Sequence, residues 1–351
     1  MVEGSAGRRQ MRSPRKNATI YDIADAAAVS HQSVSRFMRG LDMRASTKEK
    51  IEKALETLEY RPNLAARALT SGRSNRIGAL THEVDQVGPN QIIQGATTAA
   101  REAGYLLDVI SLDMGDVAEL DQALSLLTRH DLAGILAFAS TDSTRTVFEQ
   151  TDFGVPVVIA AEPETADEPD PTHDHRGIEE LVDHLVELGH QHLLHIAGPE
   201  AWSAARNRQR AFETSLVRHG LEPARVTHGD WSARSGHDIV ASLAAAEMPT
   251  AIVAANDQMA LGALHALAER GLRVPHDVSV TGVDDTPEAP YFTPALTTIR
   301  LDFRAQGRTA LRLLLDRIEG GAMAERPELP EPVLVLRAST APPSGARAPG
   351  P

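Results

Sequence analysis

Cysteine is absent from all 351 residues, which excludes disulfides, thiolate metal sites and cysteine nucleophiles together. No apolar run approaches the roughly eighteen residues a membrane span needs. Residues 1–18 (MVEGSAGRRQMRSPRKNA) contain no apolar segment of the signal-peptide kind, so a soluble, cytoplasmic protein is the expectation. No phosphate-binding loop, dinucleotide fingerprint or nucleophile elbow occurs. Nor can a paired-carboxylate arrangement of the glycosidase type be identified; an enzyme is not expected. Net positive charge is also lacking, with 35 Lys and Arg against 48 Asp and Glu, or −13. At face value that argues against a nucleic-acid partner.

The charge is unevenly spread, however. Residues 1–73 carry 14 Lys and Arg against 8 Asp and Glu, a balance of +6, leaving −19 for residues 74–351. A small basic module is joined to a large acidic one, which is a hint of nucleic-acid binding by one part. Residues 1–18 bring Arg8, Arg9, Arg12, Arg15 and Lys16 with little to pack, and read as a disordered basic arm. At Thr19 the pattern changes. Thr19 with Asp22 has the form of a capping box, and Ile20, Ile23, Ala24 and Ala27 recur at helical spacing, predicting a helix over 20–27. Val29 and Ser30 make a turn, and Ser30 caps a second helix over 31–38 whose inward face is Val34, Phe37 and Met38. Two short helices joined this closely form a helix-turn-helix. A third helix is expected from Ser46 or Thr47 to about Leu58, burying Ile51, Ala54, Leu55 and Leu58, with a stop at Tyr60-Arg61-Pro62. Residues 63–69 are a further helical candidate, too short to be stable alone in water.

The second helix carries the chemistry of a reader. His31, Gln32, Ser33, Ser35 and Arg36 are polar positions near its N-terminus, where a helix laid in a major groove meets base edges and phosphates. Gln can pair with adenine, Arg with guanine, and Ser can donate to phosphate. The bland alternative is that any surface helix has a polar face. The helix-turn-helix spacing, the third helix and the local +6 weigh against it.

From Arg76 onward, apolar runs alternate with amphipathic stretches, the signature of βαβ units. Strands are expected at 77–81, 106–110, 134–139, 156–160, 193–197, 251–255 and 278–282. Helices are expected at 92–103, 117–129, 177–188, 204–219, 233–247 and 257–270. This pattern predicts an α/β protein with two doubly wound parallel-sheet subdomains, and the acid- and proline-rich stretch 162–174 suits a crossing between them. Ligands of open parallel sheets bind beyond the carboxyl ends of the strands. Asn256-Asp257 and Asp284-Asp285-Thr286 lie at such ends, and Arg208 sits early in its helix. Each has an ordinary reading as well: helix cap, turn former, solvated charge. Trp231 is one of only two tryptophans and sits in the polar stretch Gly229-Asp230-Trp231-Ser232-Ala233. It either staples that loop to the core or offers an aromatic face to a sugar.

The runs Thr19-Ile20-Tyr21-Asp22-Ile23-Ala24, Val29 through Arg36, and Tyr60-Arg61-Pro62-Asn63 through Leu69 together resemble the headpiece and hinge of the lactose-repressor (LacI) family. The resemblance extends over about residues 19–340 through Arg208 to Phe212, Asp230 to Gly236, Ala254 to Gly262, Gly282 to Thr286 and Leu296 to Ile299. It implies a helix-turn-helix headpiece over 19–62 and a hinge helix over 63–73. A bilobed core like a periplasmic binding protein would follow over 74–340, its N-lobe taking about 74–172 and 303–330 and its C-lobe 173–302 and 331–340. It further implies DNA contacts from Thr19, Tyr21, Ser30, His31, Gln32, Ser33, Ser35, Arg36, Thr47 and Tyr60, and from Asn63, Ala66 and Leu69 in the hinge. Leu69 would be the wedge that enters the minor groove. In the core, Arg208, Asn256 and Asp284 would bond sugar hydroxyls while Ile92, Trp231 and Phe303 line the apolar side. One departure stands out: Ala160 occupies a position where the family's founding member has an aspartate, so a galactoside is the favoured effector but lacks one contact.

His190, His192 and His195, like His173 and His175, lack a metal-ligand pattern, and neither a metal nor another cofactor is expected. The tail, 341–351, is Pro-, Ala- and Gly-rich without Leu heptads, so a homodimer is expected rather than a coiled-coil tetramer. The leading expectation is a sugar-responsive repressor on a palindromic operator. The alternatives are a sugar receptor without DNA function and a regulator using a non-sugar ligand or corepressor.

Overall fold

The computed structural model describes residues 18–38, 41–58, 60, 74–82, 86–112, 117–138, 141–160, 174–320 and 329–344. The basic arm before residue 18, Arg61 and Pro62, the hinge positions Asn63, Ala66 and Leu69, the crossing at 161–173 and the tail beyond 344 lie outside them. The chain divides into two units, Met1–Arg73 and Ser74–Pro351.

In the first unit, α1 (Ile20–Ala27), α2 (His31–Met38) and α3 (Ala45–Thr57) enclose a core of Ile23, Ala24, Ala27, Val34, Ile51 and Ala54. The Thr19 capping box forms as expected: Asp22 N donates to Thr19 Oγ1 at 3.3 Å and Thr19 N to Asp22 Oδ2 at 2.6 Å. Such a cap contributes about 1 kcal/mol, a useful amount for an eight-residue helix. Ala28, at φ 52°, turns the chain in the left-handed region, and Ser30 Oγ accepts from Ser33 N at 3.2 Å to start α2. The third helix begins one residue earlier than expected, at Ala45, with Arg44 as a cap lacking a side-chain bond.

The second unit holds two sheets. The first has the order β2-β1-β3-β4, all parallel, from β1 (Arg76–His82), β2 (Leu106–Leu112), β3 (Gly134–Phe138) and β4 (Val157–Ala160). Alternate residues of β3 face opposite ways. Leu136 and Phe138 pack with α4 (Val87–Glu102) and α11 (Phe303–Ile318), while Ile135 and Ala137 pack with α5 (Val117–Arg129) and α6 (Asp142–Gln150). A sheet covered on both faces requires such continuous apolar strands.

The second sheet runs β10-β9-β8-β7-β5-β6, from β5 (Leu193–Ala197), β6 (Arg225–His228), β7 (Ala251–Ala254), β8 (Ser279–Asp284), β9 (Thr297–Arg300) and β10 (Val333–Val335). It is parallel as expected, with β10 added antiparallel to β9 at one edge. One face packs on α7 (Asp174–Glu187) and α8 (Ser203–Arg218) around Leu181, Leu185 and Phe212, the other on α9 (Ala233–Ser242) and α10 (Asp257–Glu269) around Val240, Met259 and Ala263.

Two helix pairs approach at backbone contact. A methyl group at Gly95 of α4 would overlap the Arg304 carbonyl of α11, and one at Gly307 the Ile92 carbonyl. Gly236 of α9 and Gly262 of α10 stand in the same relation to the carbonyls of Met259 and Ala233. Expected boundaries shift for physical reasons. The α4 helix starts at Val87, before residue 92, because Pro89 in its first turn needs no hydrogen-bond partner. The single helix expected over 233–247 stops at Ser242 and resumes as a short 3₁₀ turn over Ala245–Glu247, with Arg270 Nη1 donating to the carbonyls of Val240 and Leu243 at 2.7 Å each. Ala341, expected in the tail, is tied into the fold: its carbonyl accepts from His190 Nε2 at 2.9 Å and its N–H donates to Ser279 Oγ at 3.1 Å.

Candidate functional site

The headpiece presents a polar helix face. His31, Gln32 and Arg36 are exposed on α2, Ser33 and Ser35 half-exposed, and Val34 alone is fully buried between them. Tyr21, 68% exposed, reaches over from α1 to lie 5.6 Å from the His31 ring, so the first helix adds an aromatic edge to that surface. Arg36 Nη2 donates to the Asp42 carbonyl at 3.0 Å, which holds its guanidinium against the headpiece. Thr19 and Ser30 are exposed caps with backbone bonds already made; Thr47 and Tyr60 are partly covered.

In the second unit, all six positions singled out in the core come together. Ile92, Arg208, Trp231, Asn256, Asp284 and Phe303 line one cavity, concave and part aromatic, part polar as small-molecule sites are. Three of them follow strand ends: Trp231 after β6, Asn256 after β7 and Asp284 closing β8. This is where ligands of open α/β sheets bind. The N-terminal turns of α4, with Ile92, and of α11, with Phe303, complete the lining.

The polar side is built around a buried charge pair. Arg208 and Asp284 are 5% and 8% exposed, and Nη1 lies 3.9 Å from Oδ1. The same Nη1 donates to the Ala255 carbonyl at 2.6 Å, and the guanidinium carbon sits 5.7 Å from the centre of the Trp231 ring. Arg208 is therefore a held cation with aromatic and anionic neighbours, and the solvated-charge reading does not apply. Asn256 is the N-cap of α10: Oδ1 accepts from Met259 N at 2.8 Å and Nδ2 donates to the Trp231 carbonyl at 2.9 Å. The cap still leaves the amide a second N–H and a second lone pair.

Trp231 staples its loop to the core and also lines the cavity. It is 5% exposed within the core of the second sheet, meets Trp202 edge to face at 5.6 Å, and still lines the cavity. Its φ of 70° is left-handed, a strained conformation of the kind that collects at functional sites. Gly198 makes room beneath the ring, since a methyl group there would overlap it. The buried Nε1 has no hydrogen-bond partner. Asp230 helps set the loop: its Oδ1 accepts from Ser232 N at 3.0 Å and Ser232 Oγ at 2.5 Å, and the Ser232 bond holds the carboxyl below the usual range.

Neighbouring acids have structural work. Asp257 is fully buried and accepts from Thr298 Oγ1 at 2.6 Å and Thr286 N at 2.8 Å; burial pushes it up to about 7 against those bonds. Asp285 accepts from Arg300 Nε at 2.7 Å and Arg337 Nη2 at 2.6 Å. His190 and His195 are likewise committed. The first bonds Thr250, Ser279 and Ala341, while the second stacks on Phe212 at 4.8 Å and donates from Nδ1 to the Val253 carbonyl at 2.8 Å. Sequence reasoning missed Gln86, Gly88, Trp202 and Gln306 of the lining. Trp202 left one signal: it is the other tryptophan, at the cap of α8.

Comparison with known proteins agrees with this arrangement. Residues 19–63 match bacterial regulatory proteins of the lacI family, and residues 182–340 match a periplasmic binding protein-like domain. The chain is 34% identical to the lactose operon repressor of Escherichia coli (strain K12), over 93% of this chain and 92% of that protein. A crystal structure of the lac repressor dimer bound to operator and the anti-inducer ONPF superposes with a TM-score of 0.81 at 34% identity, covering 93% of this chain and all of that one. A complex of the transcriptional regulator CelR with cellobiose superposes at 0.68 and 26% identity, covering 92% and 100%. With a helix-turn-helix in its first unit and a cavity at the strand ends of its second, the chain belongs to the LacI family of DNA-binding transcriptional repressors.

Proposed function

We propose that this chain, as a cytoplasmic homodimer, represses genes of sugar use by holding a palindromic operator, and releases it when a small sugar fills the cavity. A galactoside is the first candidate. The observation that carries this reading is the cavity's composition: a buried Arg208–Asp284 pair and the Asn256 amide face the Trp231 and Phe303 rings. A pyranose offers the matching surface, hydroxyls around its rim for the charged and amide groups and C–H faces for the aromatic rings. In the headpiece, His31, Gln32 and Arg36 read the major groove while Thr19, Tyr21, Ser30, Ser33, Ser35, Thr47 and Tyr60 position the helix on the backbone. Asn63, Ala66 and Leu69 of the hinge meet the minor groove, with Leu69 as the wedge.

Release requires that the sugar bind the DNA-free conformation more tightly than the DNA-bound one, because a ligand of equal affinity shifts nothing. The test is a thermal-shift panel of mono- and disaccharides followed by operator gel shifts with the hits. A ligand at a hundred times its Kd adds about 2.7 kcal/mol, and the matching sugar is expected to raise Tm and lower operator affinity together. Asp284→Asn is expected to abolish both effects. A sugar that raises Tm and strengthens operator binding would replace induction with corepression, and silence across the panel would refute a sugar effector.

A further inference from the structure

Away from the cavity and the headpiece, α9 and α10 bring together His237, His265 and Glu269, whose potential ligand atoms all lie within 4.8 Å of one another. His265 and Glu269 are one helical turn apart on α10, where side chains at i and i+4 share a face. His237 comes from α9, 28 positions earlier in the chain. The spacing of the two helices does not depend on pliable side chains. Gly236, next to His237, and Gly262 hold the backbones in contact, and a methyl group at Gly262 would stand 2.6 Å from the His237 N. Glu269 lies between the two imidazoles, with Oε2 2.8 Å from His237 Nε2 and Oε1 3.3 Å from His265 Nε2. The rings are 5.6 Å apart at 34°. On its other side, His237 Nδ1 lies 2.9 Å from Asp238 Oδ1. A carboxylate on the far nitrogen is the usual means of fixing the tautomer and aim of a metal-binding histidine.

We propose that His237, His265 and Glu269 form a surface binding site for a divalent transition cation of the zinc class. Two imidazoles and one carboxylate are a donor set that leaves coordination positions open to water. Tetrahedral bonds of 2.0–2.1 Å set donor atoms about 3.3 Å apart, and one donor atom from each residue already lies within 4.8 Å of the others. The two imidazoles now address different oxygens of Glu269, so the carboxylate must turn one oxygen to both as the imidazoles close up, and the His265 side chain is 68% exposed. The cation takes the place of the proton held between His237 and Glu269, which passes to solvent. Asp238 keeps its bond to Nδ1 throughout. Bound there, the cation ties α9 to α10, the helices that begin beside Trp231 and at Asn256.

The test is calorimetric titration of the tag-free full-length chain with zinc chloride, with cobalt(II) absorption as a second readout of the ligand set. One cation per chain is expected, with a visible cobalt band. His265→Ala and Glu269→Gln are each expected to weaken binding at least tenfold, and Asp238→Asn, which touches only the supporting carboxylate, by about tenfold. His219→Ala removes a histidine paired with Asp183 elsewhere and is expected to leave the titration unchanged. All four side chains sit at the surface, and metal-free melting curves check that each variant folds. Absence of binding, or equal affinities in the parent chain, His265→Ala and Glu269→Gln, would overturn the site.

Discussion

Substituting Gly262 with alanine sets two effects against each other with opposite signs. Gly262 lies inside α10, where replacing glycine by alanine gains about 1 kcal/mol of helix propensity. The added methyl group would overlap the Ala233 carbonyl and sit 2.6 Å from the His237 N and 2.8 Å from the Ala233 carbonyl carbon. These are backbone atoms of a helix, so no rotamer change can relieve the contact, and α9 must move away by about 1.5 Å to restore ordinary separations. Overpacking of this kind costs about 1–3 kcal/mol, and the rigid obstacle places this case at the upper end. The net expectation is a loss of about 2 kcal/mol. At about 2–4 °C per kcal/mol for a domain of this class, Tm falls by about 4–8 °C. Because α9 starts at the Ser232 cap directly after Trp231, its displacement should also weaken the sugar's thermal shift. The assay is a melting curve with and without effector, beside Leu261→Ala, an exposed neighbour expected to stay within about 0.5 kcal/mol. A Gly262→Ala protein that melts at or above the parent would show that propensity wins and that the close approach is not needed.

Three further expectations follow, one from a buried histidine and two from the exposed headpiece. Burial holds His195 down to about 4, below its ordinary value of about 6.5. Between those values the unfolded chain takes up a proton that the folded chain refuses, so stability is lost as pH falls from about 6.5 to 4, by about 3 kcal/mol at 1.36 kcal/mol per unit. Asp257, raised to about 7, acts in the opposite sense over the same window. The clean measurement is therefore the difference in Tm between the parent and His195→Phe, which should shift in favour of the variant on acidification; a pH-independent difference refutes it. At the other end of the chain, operator affinity should fall steeply with salt, with log K declining by about 0.9 per phosphate neutralised. Gln32→Ala should cost about 1–3 kcal/mol at one base pair. A flat salt dependence, or an equal loss on every sequence, removes α2 from the groove.

Much of the architecture was legible because its signals are local. The Thr19–Asp22 box, the three-and-four spacing of the headpiece core and the apolar runs of the inner strands depend on neighbours within one turn or one strand. Several elements that escaped notice have weak local patterns: β6 is Arg-Val-Thr-His at an edge, β10 has three residues, and α6 opens on Asp-Ser-Thr-Arg. The short β9 and the 16-residue α11 also escaped, although α11 carries Ala310, Leu311 and Leu314 at helical spacing. The helix break at Ser242 depends on Arg270, 28 positions away, which no window of sequence contains. Asn256, Asp284, Arg208 and Trp231 are marked by strand ends, an early helix position and a rare tryptophan, and Ile92 and Phe303 only by the family resemblance, whereas Gln86 and Gln306 are ordinary polar residues until the fold turns them inward.

The opening absences belong to the sequence alone, as does the division of −13 into a +6 reader and a −19 body. Both are properties of composition and order, and folding cannot change them. What the tertiary structure decided is which charges stop behaving as charges in water. Arg208 and Asp284 become a buried pair beside Trp231, Asp257 is raised toward neutrality, and His237 meets His265 across a glycine-lined helix contact. Desolvation and distance set those outcomes, and both exist only once the chain has brought remote residues together.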